Sequence, residues 1–246
     1  MIKKLRFLNG NVLKIIAAIL MVIDHIGFTF FPSVMILRYI GRLAMPVFAF
    51  MIAEGCRYTK DKLRYFLTIA VLGTVCQIVY FVFDPSAYLF NILITFSLAI
   101  LVVYSLSFMK KSLLETGVSV KVKVVSVSAF IGVIAGVYVF CYFFFVDYGF
   151  WGVMLPAFAS LFDFRNISNE KAKILDKLII RVLTFAVGLA VFVFTSGMLD
   201  FTVYSLFSII LLLLYNGERG KAKMKYFFYV FYPLHLVIIE GIYMLI

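Results

Sequence analysis

Apolar runs long enough to cross a bilayer follow one another almost without pause along this chain, and they leave little choice of fold. A membrane span needs about 20 predominantly apolar residues. Nine runs are read, at 11–31, 36–56, 65–83, 88–109, 124–146, 148–164, 178–199, 202–215 and 226–246. The sixth and eighth are short, which suits spans of little tilt or partial re-entry. Charged residues make up 14% of the 246-residue chain and hydrophobic ones 65%, too little charge to solvate a water-soluble globule of this size. The expectation is all-α: a polytopic transmembrane helical bundle of about nine spans, forming one transmembrane domain over residues 1–246.

The segments between the runs alternate in charge. Lys3, Lys4 and Arg6 come first, then the uncharged turn Pro32-Ser33, then Arg57, Lys60, Lys62 and Arg64. A turn holding only Asp84 precedes Lys110, Lys111, Lys121 and Lys123, and Asp147 stands alone before Arg165, Lys171, Lys173 and Lys177. Asp200 is alone again before Arg219, Lys221, Lys223 and Lys225. Every basic segment thus falls on one side, and the positive-inside rule makes the N-terminus cytoplasmic and the C-terminus external. The net charge of +11 is therefore topological. No soluble basic patch interleaved with aromatics exists, so nucleic acid is not an expected partner. Anionic lipid, or a phosphorylated cofactor at the cytoplasmic face, suits these clusters better. The first run is too long for a cleaved signal peptide, contains Asp24-His25 and lacks a small-x-small site after it. Cys56, Cys76 and Cys141 form no C-x-x-C pair and read as small buried hydrophobes. The stretches 110–123 and 165–177 are polar enough to carry short surface helices.

An ionisable side chain inside a span costs free energy and is a functional candidate by default. Asp24 and His25 lie in the first run, Arg38 and Arg42 in the second, His235 and Glu240 in the ninth. Lys14 snorkels from near the cytoplasmic end, Glu240 sits near the external end, and Glu54 has the spacing to pair with Arg57 one helical turn on. His25 stands about 21 Å above the cytoplasmic edge, and Arg42 about 9 Å below the external edge of a ~30 Å core, so both occupy one level. Their spans are consecutive and joined by a short turn, hence neighbours. Asn91, Asp147 and Asp200 lie at the external ends of their spans, so polar groups gather in the outer half. His235 lies about 14 Å into the last run, beyond the helix-disrupting Pro233 and three residues from Tyr232 on the same face. Histidine takes and returns a proton near neutral pH, which suits acid–base chemistry. Asp24 and Arg42 equally suit a structural ion pair, Arg38 an interfacial anchor, and His235 a hydrogen bond to a neighbouring helix. The two histidines lack paired ligand spacing, so no metal is expected. No G-x-S-x-G, Walker or G-x-G-x-x-G loop is present.

The blocks LKIIAAILMVIDHIG (13–27), LRYIGRLAMPVFAFMIAEG (37–55), NILITFSLAI (91–100), DYGFWGVMLP (147–156) and YNGERG with KYFFYVFYPLHL (215–236) resemble the TraX family of bacterial membrane proteins. That resemblance implies an acetyltransferase of the bacterial cytoplasmic (inner) membrane, associated with N-terminal acetylation of conjugative pilin. It also implies kinship with the wider transmembrane acyltransferases, including the acyltransferase-3 group. Those enzymes carry an acyl group from cytoplasmic acyl-CoA to an acceptor on the far side, around a membrane-embedded histidine. By that analogy His25 of the DHIG block is the catalytic base, joined by Asp24, Arg42 and His235. Arg57, Lys60, Lys62, Arg64 and Arg219 would receive the charged nucleotide of acetyl-CoA. Arg38, Asn91, Asp147 and Tyr232 would face the acceptor, which is a protein or peptide N-terminus, a glycan or a small amine. Asp24 would either set the imidazole tautomer or hold Arg42, and Arg42 would stabilise a developing oxyanion.

Two other classes fit the same residues. A small-solute transporter or flippase also uses intramembrane Asp, His and Arg, although nine spans do not divide into equal inverted repeats. A non-catalytic membrane subunit would tolerate His25→Ala. Cleavage of acetyl-CoA separates the first reading from both.

Overall fold

The computed structural model describes residues 6–83, 89–222 and 224–245. Lys3, Lys4, Asp84 and Lys223 of the charge pattern lie outside the described residues. The regular elements are helical: α1 Gly10–Thr29, α2 Met35–Gly41, α3 Ala44–Tyr58, α4 Lys62–Phe83, α5 Ile92–Leu114 and α6 Val120–Phe143. They continue with α7 Gly149–Ser160, α8 Glu170–Leu175, α9 Leu178–Thr195 and α10 Leu199–Thr202. A 3-10 turn, Val203–Phe207, then leads to α11 Ser208–Leu213 and α12 Lys225–Tyr243. Among the described residues, six helical stretches are long and apolar enough to cross a membrane: α1, α2 with α3, α4, α5, α6 and α9. Shorter apolar helices occupy Gly149–Ser160, Leu199–Leu213 and Phe227–Tyr243, where the sixth, eighth and ninth runs were read. α6 shows why the solvent is lipid. It is apolar all round, yet buries only Ser126 and Val137, a surface that water would not tolerate.

The chain forms two compact units. The first comprises residues 1–51, 75–87 and 193–246. Its α1 is started by Asn9, whose Oδ1 accepts from the backbone N–H of Asn11 and Val12 at 3.1 Å. The preceding residues are tied to the loop before α12. Leu8 bridges Tyr215, Gly10 N–H donates to Glu218 O at 2.7 Å, and Asn11 Nδ2 donates to Ala222 O at 2.7 Å. α2 lies against α1 so closely that a Cβ on Gly41 would overlap the Asp24 side chain. The second run is not one continuous helix. It breaks at Arg42-Leu43, because the ring of Pro46 opposes the carbonyl four residues earlier. Residues 199–213 are likewise broken into α10, the 3-10 turn and α11, and they bury Thr202, Ser205, Ser208 and Leu212 at helical spacing.

The second unit comprises residues 52–74 and 88–192. Here α5 packs on α6 and α7. Most of 110–123 is helix, since α5 runs to Leu114 and α6 starts at Val120, whereas 165–177 does carry a short helix, α8. Six charged groups knit one end of this unit. Arg181 pairs with Glu54, Arg57 pairs with Asp163 and, at 2.9 Å, with Asp176. Lys110 Nζ donates to the carbonyls of Leu161 at 3.2 Å and Asp163 at 2.8 Å, past the end of α7. These partners replace the expected Glu54–Arg57 pair, because residues 163–181 bring complementary charges against both side chains. Cys56, Cys76 and Cys141 are all free, the first two buried.

Candidate active site

The intramembrane charges of the first unit meet around one carboxylate. Asp24 Oδ2 pairs with Arg42 Nη2 and, at 3.0 Å, with Arg38 Nη1, which also donates to the Asp24 carbonyl at 3.1 Å. All three side chains are less than a fifth exposed. The ring of Phe201 lies 4.5 Å from the Arg42 guanidinium and 5.6 Å from that of Arg38, and Phe28 covers Arg38 at 4.8 Å. Asp24 therefore holds arginines, one of the two roles its position allowed. Asp24 Oδ1 is buried without a hydrogen-bond partner.

The two histidines of the chain, from its first and last helices, come together beside this cluster. Their ring centroids are 5.2 Å apart, edge to face at 68°. His25 is half-buried, and His235 is buried, stacked on Phe231 at 5.3 Å and flanked by Tyr232 at 5.5 Å. His235 Nδ1 lies 3.0 Å from the Phe231 carbonyl. A carbonyl only accepts, so Nδ1 carries the hydrogen of that bond, and Nε2 of a neutral ring presents a lone pair. Nε2 is buried and has no hydrogen-bond partner.

The remaining candidates divide between the units. Asn91 and Asp147 belong to the second unit and have structural partners there. Asn91 caps α5 and donates to Gly73 O at 2.8 Å, while the Asp147 carbonyl accepts from Thr95 Oγ1 at 2.8 Å. Arg57 is engaged by Asp163 and Asp176, whereas Lys60, Lys62 and Arg64 beyond it are exposed. In the first unit, exposed Arg219 accepts through its carbonyl from Asn11 N–H at 3.0 Å, at the start of the helix that carries His25. Sequence reasoning missed Arg181, which lies inside the seventh run and was not weighed among the intramembrane charges. It also missed the 201–208 stretch: Phe201 under Arg42, Tyr204 stacked on Tyr39 at 4.2 Å, and the buried hydroxyls of Ser205 and Ser208. The three-residue spacing of Thr202, Ser205 and Ser208 inside an apolar run was the available signal.

A family model described as TraX protein matches residues 9–243. An uncharacterized protein of Rickettsia prowazekii (strain Madrid E) is 38% identical over 94 residues, which cover 38% of this chain and 36% of that protein. The matched region thus spans about a third of that relative's length. No solved structure matches the chain. The family match takes in every member of the histidine and arginine cluster and nearly the full sequence, so this membrane protein belongs to the TraX family.

Proposed function

We propose that this chain is an acyltransferase of the bacterial inner membrane, moving an acetyl group from cytoplasmic acetyl-CoA to an amine or hydroxyl acceptor reached from the external side. The observation that carries this reading is the meeting of His25 and His235 beside the Asp24–Arg38–Arg42 cluster. Two imidazoles in contact, one half-buried and one with a buried acceptor nitrogen, suit proton transfer in a water-poor site. His25 takes the proton from the acceptor N–H or O–H as that atom bonds to the acetyl carbon. The carbon–sulfur bond breaks, and the proton passes to the departing sulfur, giving the acetylated acceptor and free CoA. His235 orients His25 and shares its proton. The guanidiniums of Arg38 and Arg42 beside the histidines favour negative charge developing on the acetyl oxygen. Within the first unit, exposed Arg219, in the loop tied to the start of α1, suits the nucleotide phosphates, with the basic segments cytoplasmic.

Free CoA released from acetyl-CoA by the purified, detergent-solubilised protein tests the reading, with cell extract supplying acceptors. His25→Ala should lower release by about a hundredfold or more, the usual share of a general base. Equal release by wild type and His25→Ala removes His25 as the base. Absence of both release and acetyl-CoA binding returns the cluster to the transporter class.

A further inference from the structure

Buried serines in a membrane helix ordinarily donate back to the carbonyl three or four residues earlier. Ser97, Ser112, Ser126 and Ser160 all do so, to Leu93, Met109, Lys123 and Pro156. Ser205 and Ser208 are 3% and 0% exposed, and neither hydroxyl has a hydrogen-bond partner. Burying such groups is costly unless something else pairs with them.

Their position indicates what that partner is. Phe201 fixes one end of the segment under Arg42, and Tyr215 fixes the other by its bridge to Leu8, at the start of α1. The segment therefore leads from the arginine cluster to the start of α1 and the loop carrying Arg219, with its 3-10 turn packed against α2. Ser205 and Ser208 follow Thr202 by one and two 3-10 turns on the segment's buried face. A 3-10 rise of ~2 Å per residue puts them roughly 8 and 14 Å beyond Phe201, and about 6 Å apart. An extended ligand reaching from the loop to the histidines would meet both hydroxyls on the way. The pantetheine arm has that form, with two secondary amides joined through an ethylene bridge and so about 5 Å apart by standard bond lengths. A hydroxyl both donates and accepts, so it matches either the N–H or the C=O of an amide.

We propose that Ser205 and Ser208 bind the two amide groups of the pantetheine arm of acyl-CoA, a role that rests on the acyltransferase reading above. They are positioning residues and touch no reacting atom. Full-length Ser205→Ala, Ser208→Ala and the double variant should bind acetyl-CoA about fivefold, fivefold and thirtyfold more weakly, one modest hydrogen bond being lost at each site. Binding of 3′-phospho-ADP, which has the nucleotide and lacks the arm, should be unchanged. Without ligand, each variant should melt at or above the wild-type temperature, because an unpaired buried hydroxyl has been removed. A fall in the ligand-free melting temperature overturns the proposal by revealing a structural partner. So does unaltered acetyl-CoA binding by the double variant when the wild type binds it, and so does parallel loss of both ligands. Failure of the wild type to bind acetyl-CoA overturns the acyltransferase reading itself.

Discussion

Replacing Gly41 by alanine tests the geometry on which the Asp24 cluster depends, without touching a charge. Gly41 ends α2 in ordinary helical conformation, so alanine alone should gain up to about 1 kcal/mol of helix propensity. Packing opposes this. The new Cβ would overlap Cβ, Cγ and Oδ1 of Asp24, the carboxylate that holds both arginines. Relief requires α2 to move away from α1 or Asp24 to turn out of its ion pairs. Overpacking of this kind costs about 1–3 kcal/mol, so the net expectation is a loss of up to about 2 kcal/mol. For a chain of this size that lowers the melting temperature by roughly 4–8 °C. Gly132→Ala is the matched control: it too is helical, but a Cβ there meets nothing within 4 Å. It should be neutral or raise the melting temperature by roughly 2–4 °C. Thermal melts of the two variants in one detergent, with CoA release measured alongside, decide the matter. If Gly41→Ala melts as high as Gly132→Ala and keeps full release, the close approach of α2 to Asp24 is refuted.

Two further outcomes concern the second unit. Arg57→Gln should destabilise by about 3–5 kcal/mol, since Asp163 and Asp176 would lose a mostly buried partner. Arg64→Gln, at an exposed position, should stay within about 0.5 kcal/mol. Denaturation of the two variants in parallel checks this difference. Lys110→Met should likewise lower stability by about 2–4 kcal/mol, because the carbonyls of Leu161 and Asp163 lose a charged donor. A Lys110→Met protein as stable as wild type would show those bonds to be unimportant.

The first half of the cluster was legible because its members are close in sequence. Asp24, Arg38 and Arg42 lie on consecutive spans at matched depth, and a short turn makes those spans neighbours. The break after Arg42 was also present in the sequence, four residues before Pro46. His235 could be placed at mid-depth but not beside His25, because hydropathy gives no order of helices around a bundle. Arg181 is the fourth residue of the seventh run, just past Lys171, Lys173 and Lys177, and was not weighed as an intramembrane charge; only the fold turns it inward to Glu54. Lys110 misled too, being a loop charge by composition and a bond to carbonyls beyond α7 in fact. Ser205 and Ser208 were passed over because a serine in an apolar run is usually satisfied by its own helix. That these two are not is a property of the broken 199–213 segment, invisible before the backbone is known.

The tie between the first and last helices also sets a timetable for biogenesis. Ribosomes deliver about 5–20 residues per second. Asp24 enters the membrane with a carboxylate that its arginines can neutralise 14 and 18 residues later, within about 1–4 s of synthesis. His25 waits far longer, because His235 is roughly 210 residues away, on the order of 10–40 s. The loop that anchors residues 8–11 arrives only shortly before it. The nascent protein can thus settle its buried charge early, while the paired histidines cannot form until the last helix is made. A chain truncated before α12 would carry the arginine cluster and lack the chemistry proposed for it.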